Sequence, residues 1–159
     1  DNTVEMFEKF DVFSRAELES RAEIKYEAYS KAINIEARSM IDIASKHIIP
    51  AVIQYVTSLA NSINQVKQAS AAAYTGVQEE LLVQSADLLK DTKEALRALE
   101  TVVAEVPETE GKEQAFFFMQ KVVPAMEALR KPVDELEMIV NKNMWPMLLT
   151  EICCSRSKK

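Results

Sequence analysis

Two glycines, Gly76 and Gly111, are all that this chain of 159 residues contains. Turns, tight hairpins and phosphate-cradling loops draw on glycine for backbone at positive φ. A many-stranded β fold or a dinucleotide-binding fold is hard to build on so few. Ala, Glu, Leu, Lys and Met are frequent instead, and these residues lose least on entering a helix. The chain is therefore expected to be all-α. Its length suits one domain whose core hides roughly two thirds of the unfolded surface.

The apolar periodicity divides that domain. Residues 3–10 read as a short helix offering Val4, Met6, Phe7 and Phe10 for burial. Ser14 and Glu17 have capping-box spacing, so a long helix is expected from about Arg15. Its stripe is Leu18, Ala22, Tyr26, Tyr29, Ile33, Ala37, Met40, Ile41 and Ala44. Pro50 should kink or restart it, since proline lacks the N–H and clashes with the preceding turn. Val52, Val56, Leu59, Ile63 and Val66 then recur at heptad spacing. Residues 68–76 read as a turn. Over 78–104 the stripe is Leu82, Ser85, Leu89, Thr92, Leu96, Leu99 and Val103. Residues 106–112 form a polar connector punctuated by Pro107 and Gly111.

A last helix over about 113–143 carries Phe118, Val122, Met126, Leu129, Val133, Leu136 and Val140. Pro124 and Pro132 should bend it, and Trp145-Pro146 should end it. Stripes of similar length joined by short connectors predict an up-and-down antiparallel helical bundle with a long, Pro-kinked first helix. The bundle is expected over 14–147, after a short helix and connector at 1–13 and before a tail at 148–159.

Few residues point to chemistry. His47 is the sole histidine, and nothing in Lys46-His47-Ile48-Ile49-Pro50 marks a nucleophile–histidine–acid arrangement. It reads as a structural or surface residue. A carboxylate-bridged metal site in a bundle needs Glu-x-x-His, and Ala44 stands three residues before His47. Zinc needs Cys and His at ligand spacing, whereas Cys153 and Cys154 are adjacent. Neighbouring cysteines are also a poor disulfide pair, which suits a reducing, cytoplasmic setting. Glu79-Glu80 and Glu108/Glu110 read as a solvated helix start and a loop. A phosphate-binding glycine loop is missing. No cofactor or metal is expected in these residues.

Net charge is −6, and the sole basic run is Arg156-Ser157-Lys158-Lys159, which argues against nucleic acid as partner. No apolar run is long enough to span a bilayer. The start at Asp1 is neither cationic nor apolar, so it does not read as a signal peptide, and a chain that starts on Asp reads as part of a longer one.

Phe116-Phe117-Phe118-Met119 cannot all face one core from one helix. The run is either buried between layers, or against residues 3–10, or it makes a subunit or domain contact.

Several blocks resemble the C-terminal region of type III glutamine synthetase, the large bacterial form. They are Phe7-Glu8-Lys9 with Asp11-Val12-Phe13-Ser14, Glu17-Leu18 and Ser20-Arg21; Ile33-Asn34-Ile35-Glu36-Ala37 with Met40-Ile41-Asp42; Ile49-Pro50-Ala51-Val52; and Leu129-Arg130, Asp134, Glu137 and Trp145-Pro146. Asp11 departs from the glycine usual in that family, and the residues after Met147 depart from its tail. The resemblance implies a parent enzyme that joins ammonia to glutamate using ATP and divalent metal. It matches none of the family's metal- or phosphate-binding motifs, so no catalytic residue carries over. It implies a helical appendage of a homo-oligomer, whose partners are the upstream catalytic core and sister subunits. Asn34 and Glu36 then become either contacts to that core or a satisfied polar pair on the bundle's rim. With Phe7, Phe10, Phe116 and Phe117 they are the candidate interface residues.

The leading expectation is a non-catalytic domain serving packing, oligomer assembly or regulation. The alternative is a stand-alone interaction or scaffold module with a groove for a partner helix. A membrane-surface bundle is disfavoured by the acidic balance. If Phe117 belongs to an interface, Phe117→Asp should change the assembly state or the melting temperature. Light scattering and a thermal melt check this, and two unchanged readings contradict it.

Overall fold

A computed structural model describes residues 2–10, 12–108 and 111–146. Asp11, Glu110 and the expected tail with Cys153 and Cys154 lie outside them. The helices are α1 (Asn2–Lys9), α2 (Arg15–Ile43), α3 (Ile49–Ala69), α4 (Gly76–Ala104), α5 (Lys112–Phe117) and α6 (Val123–Ile139). A π turn at Ala44–Ile48 joins α2 to α3, and a second at Phe118–Val122 joins α5 to α6. The described residues contain no strand. The expected all-α class holds.

The start of α2 is fixed locally. Ser14 Oγ accepts from the Glu17 N–H at 3.3 Å, and Glu17 Oε2 accepts from the Ser14 N–H at 2.9 Å. This is the expected capping box, which satisfies two helix-end donors reciprocally. From there one helix runs unbroken through Pro50 to Ala69.

Pro50 neither ends this helix nor restarts it, because the π turn precedes it. The Ile49 N–H bonds to the Ala44 carbonyl, five residues back, and Pro50, which has no N–H to give, comes next. The apolar pattern needs this wider turn. Ala44, Ile48, Val52 and Val56 follow in three steps of four residues. Each such step overshoots an α turn by about 40°, so the stripe would swing off the core. The i→i+5 turn absorbs the excess. The second π turn repeats the device: Val123 N–H bonds to Phe118 O, and Pro124 follows. Ile48-Ile49-Pro50-Ala51 and Val122-Val123-Pro124-Ala125 are a local echo, with Ile48 and Val122 both buried. Pro132, by contrast, sits inside α6 without such a turn.

Two core clusters give the packing direction. The first joins Ala37 and Ala44 to Leu96 and Leu99 and to Phe118, Val122 and Leu129. The second joins Ile48 and Val52 to Leu88 and Leu89 and to Leu136, Val140 and Trp145. Numbers rise along the long helix and along α6 while they fall along α4. Thus α4 is antiparallel to both, as an up-and-down bundle requires. On the long helix Ser30, Ala37, Ala44 and Ala51 are all buried and recur every seven residues. Small side chains there let neighbouring helices approach closely. Ser85 is buried on α4, and buried Thr92 donates its hydroxyl to Leu88 O at 2.7 Å.

Coverage is uneven. The long helix extends up to about 80 Å, against about 43 Å for the 29 residues of α4. Ala22 and Tyr29, read as stripe residues, are exposed, because neither α4 nor α6 reaches the start of α2. Met6 of α1 and Phe10 just after it are exposed for a similar reason. At the other end, Leu59, Ile63 and Val66 are half-buried in a hairpin of α3 and α4 alone. Its tip is held by Glu79 Oε1, which accepts from Lys67 Nζ at 2.6 Å and Thr75 Oγ1 at 2.8 Å.

The last helix ends at Ile139, four residues before the expected Asn143. Val140 turns extended, and Trp145 N–H returns to Asn141 O at 3.1 Å. This folds Trp145 back onto Ile48 and Val52. Gly111 precedes α5 at φ 99° and ψ −146°, a region essentially reserved for glycine.

Four substitutions have expected stability effects in thermal and urea unfolding. Gly111→Ala should cost about 1–3 kcal/mol. Trp145→Ala should cost about 3–5 kcal/mol as a buried aromatic truncation. Pro132→Ala should stabilise by about 1–3 kcal/mol by restoring an N–H and removing a clash, whereas Pro50→Ala should shift stability by less than about 1 kcal/mol because the π turn already accommodates the ring.

Candidate docking interface

Of the candidate interface residues, Phe7 lies on α1, Phe10 just after it, Phe116 and Phe117 on α5, and Asn34 and Glu36 on α2. α1 folds against the start of α2. Phe7 and Phe13 meet edge to face with ring centroids 5.8 Å apart, and the Arg21 guanidinium lies 4.6 Å over the Phe13 ring. Glu8 Oε1 accepts from the Arg15 N–H at 3.2 Å. Phe7 is therefore half-buried by local packing, while Phe10 is 71% exposed.

Further along, α5 lies against α2. The four-residue apolar run separates by helical geometry, since successive side chains point about 100° apart. Phe118 is buried, and Phe117 is half-buried against the main core. Phe116 and Met119 point outward, 40% and 49% exposed. With Tyr26 and Tyr29 they border a shallow apolar recess of about 230 Å³. Lys112 Nζ stands 5.8 Å over the Phe116 ring. Phe117, named from sequence as the contact residue, thus serves the core. The outward pair is Phe116 and Met119, and Met119 was not singled out.

Asn34 and Glu36 do not act together. Two residues apart on a helix, they point about 160° from each other. Asn34 Oδ1 accepts from Arg38 Nε at 3.0 Å, so Asn34 is satisfied on its own helix. Glu36 is exposed and, seven residues from Tyr29, lies on nearly the same flank.

Ser30 was missed altogether. It is 2% exposed, and its hydroxyl has no partner among the described residues. The available signal was the seven-residue spacing to Ala37 and Ala44. Among the described residues no group of three or more His, Cys, Asp or Glu could hold a metal ion. His47 lies exposed on the first π turn. No helix among the described residues is long and apolar enough to cross a membrane.

Two carboxylates are electrostatically distinctive. The backbone N–H of Ser14, then its hydroxyl, hold the Glu17 pKa below its usual value. Hydrogen bonds from Lys67 and Thr75 and the Lys67 charge do the same for Glu79. Both stabilise the folded chain fully above the unfolded carboxyl's pKa of 4.5. Their contribution is lost as pH falls through the lower folded values.

Residues 1–67, which span α1 and nearly all the long helix, match the family described as Glutamine synthetase C-terminal domain. A type-3 glutamine synthetase of Dictyostelium discoideum is 32% identical, over 92% of this chain and 21% of its own length. A glutamine synthetase of Bacteroides fragilis (strain YCH46) is 29% identical, over 86% of this chain and 19% of its own. One of Butyrivibrio fibrisolvens is 31% identical, over 88% and 20%. The chain spans about a fifth of the length of these curated relatives.

Phe116→Asp should leave the unfolding free energy of the isolated chain within about 0.5 kcal/mol of the parent, as exposed substitutions do, whereas Phe118→Ala should cost about 3–5 kcal/mol; urea unfolding checks both. Between pH 6 and pH 3 the melting temperature should fall, and Glu17→Gln and Glu79→Gln should each flatten that fall.

Proposed function

Because this chain carries the glutamine synthetase C-terminal domain in its first 67 residues, we propose that it is a non-catalytic helical domain of such an enzyme. It acts in packing, oligomer assembly or regulation. The parent reaction joins ammonia to glutamate with ATP and divalent metal, on residues outside this chain and in the cytoplasm. Its partners are the rest of the longer polypeptide and sister subunits.

One observation carries this reading. Tyr29, Phe116 and Met119 present an exposed apolar recess on the open half of the helix that bears the family match. Exposed aromatic and methionine side chains of this kind favour a protein contact. The adjoining surface adds Glu19, Glu23 and Lys112 around Ile24 and Tyr26, a mixed polar border typical of an interface rim. The interior of the bundle, in contrast, is filled by interlocking aliphatic side chains, which support a scaffold.

Two assays test the proposal. The isolated chain, given glutamate, ammonia, ATP and Mg²⁺, should form no glutamine, and measurable glutamine formation contradicts a non-catalytic domain. In the parent enzyme, Phe116→Asp should shift the light-scattering mass toward smaller species or alter activity. Unchanged mass and unchanged rate remove this face from the proposal.

A further inference from the structure

A groove of about 550 Å³ lies between the second half of α2 and α6, and no residue of α4 lines it. Met40, Ala44, Ile48 and Val133 form its apolar walls with Trp145 at one end. Two features mark it as incomplete. The Trp145 indole Nε1 is buried without a hydrogen-bond partner among the described residues, although a buried indole N–H ordinarily finds one. Met138, beside the groove, is 86% exposed, a large apolar side chain with little covering it.

The chain leaves Trp145 through Pro146, so the residues that follow start at the groove itself. They read Met147-Leu148-Leu149-Thr150-Glu151-Ile152-Cys153-Cys154, and six of these eight are apolar. Leu148 and Ile152 are four apart, and Leu149 and Ile152 three apart, the sequence spacing of one helix face. Eight helical residues extend about 12 Å, as far as Met40 lies from Ile48 along the long helix. Charge agrees with this placement. The rim carries Asp134, Glu137 and Arg130, with Arg130 Nε 3.3 Å from Asp134, leaving one acidic charge over. The segment itself carries one acid, Glu151, and just beyond it stand Arg156, Lys158 and Lys159.

We propose that residues 147–154 seat in this groove of the same chain, with Leu148 and Ile152 against Met40, Ala44 and Val133. They add a short fourth layer to the three-helix bundle. This site lies apart from the Phe116 recess and does not depend on the assembly reading.

Peroxide oxidation of methionine, followed by mass spectrometry, tests it. Met138 should oxidise several-fold more slowly in the full chain than in a chain ending at Pro146, with exposed Met6 as the internal reference. The full-length double variant Leu148→Asp/Ile152→Asp should match the shortened chain, and far-ultraviolet spectra check that both remain helical. Equal Met138 rates in all three overturn the proposal. In a Glu137→Cys variant, mild oxidation of dilute protein should link the introduced thiol to Cys153 or Cys154 within one chain. Links formed only between chains overturn it in favour of a second copy as the occupant.

Discussion

Close approach along Ser30, Ala37, Ala44 and Ala51 is the contact on which the bundle depends. These side chains are almost wholly buried on the long helix, and none projects far enough to hold a neighbour away. Around Ala37 and Ala44 larger residues fill the space: Leu96 and Leu99 from α4, and Phe118, Val122 and Leu129 from α6 and the π turn before it. This division of labour, with small residues on one helix and bulky ones on two, suits interiors packed to crystal-like density. It also accounts for Ser30 and Ser85, whose buried hydroxyls have no partner among the described residues. Their small size serves the packing, at the expense of an unmet polar group.

The two π turns extend the same logic to the backbone. A 55-residue helix that must keep one face on a core from Ser30 to Val66 cannot hold a pattern of repeated four-residue steps with α geometry alone. A single wide turn before Pro50 restores the register and relieves the proline together. The matching turn before Pro124 shows that the solution is tied to the local sequence, an aliphatic pair followed by Pro-Ala, and not to one place in the fold. Pro132 lacks both the aliphatic pair and the wide turn, and α6 simply carries it.

Most of the bundle was legible because its stripes are long and regular. Every residue of the three seams from Val52 to Val140 is buried or half-buried, and the Ser14–Glu17 cap could be read from spacing alone. Two kinds of feature escaped. Pro50 signals a break only when local preference decides, whereas here tertiary packing on both sides kept the helix going through a rarer hydrogen-bond pattern. The three steps of four from Ala44 to Val56 were the available clue. The apolar run at 116–119 escaped for a different reason. Periodicity says that its members point different ways, but the phase depends on the π turn within it, so Phe117 could not be told from Phe116. Asn34 and Glu36 sat in a distinctive block, yet their angular separation divides them between two flanks. The resemblance to the glutamine synthetase C-terminal region, read from scattered blocks, extends over most of the chain in the relatives.

The unequal lengths of the helices have a mechanical consequence. The aromatic recess lies near one end of the long helix, while the Lys67–Glu79–Thr75 clasp ties the other. Between them the bundle stiffens the middle. Such a member behaves as a lever. A tilt of about 5° at the recess displaces the far hairpin by about 5 Å over a reach of about 60 Å. A small adjustment where this domain is gripped is thereby delivered as a large movement at a distance.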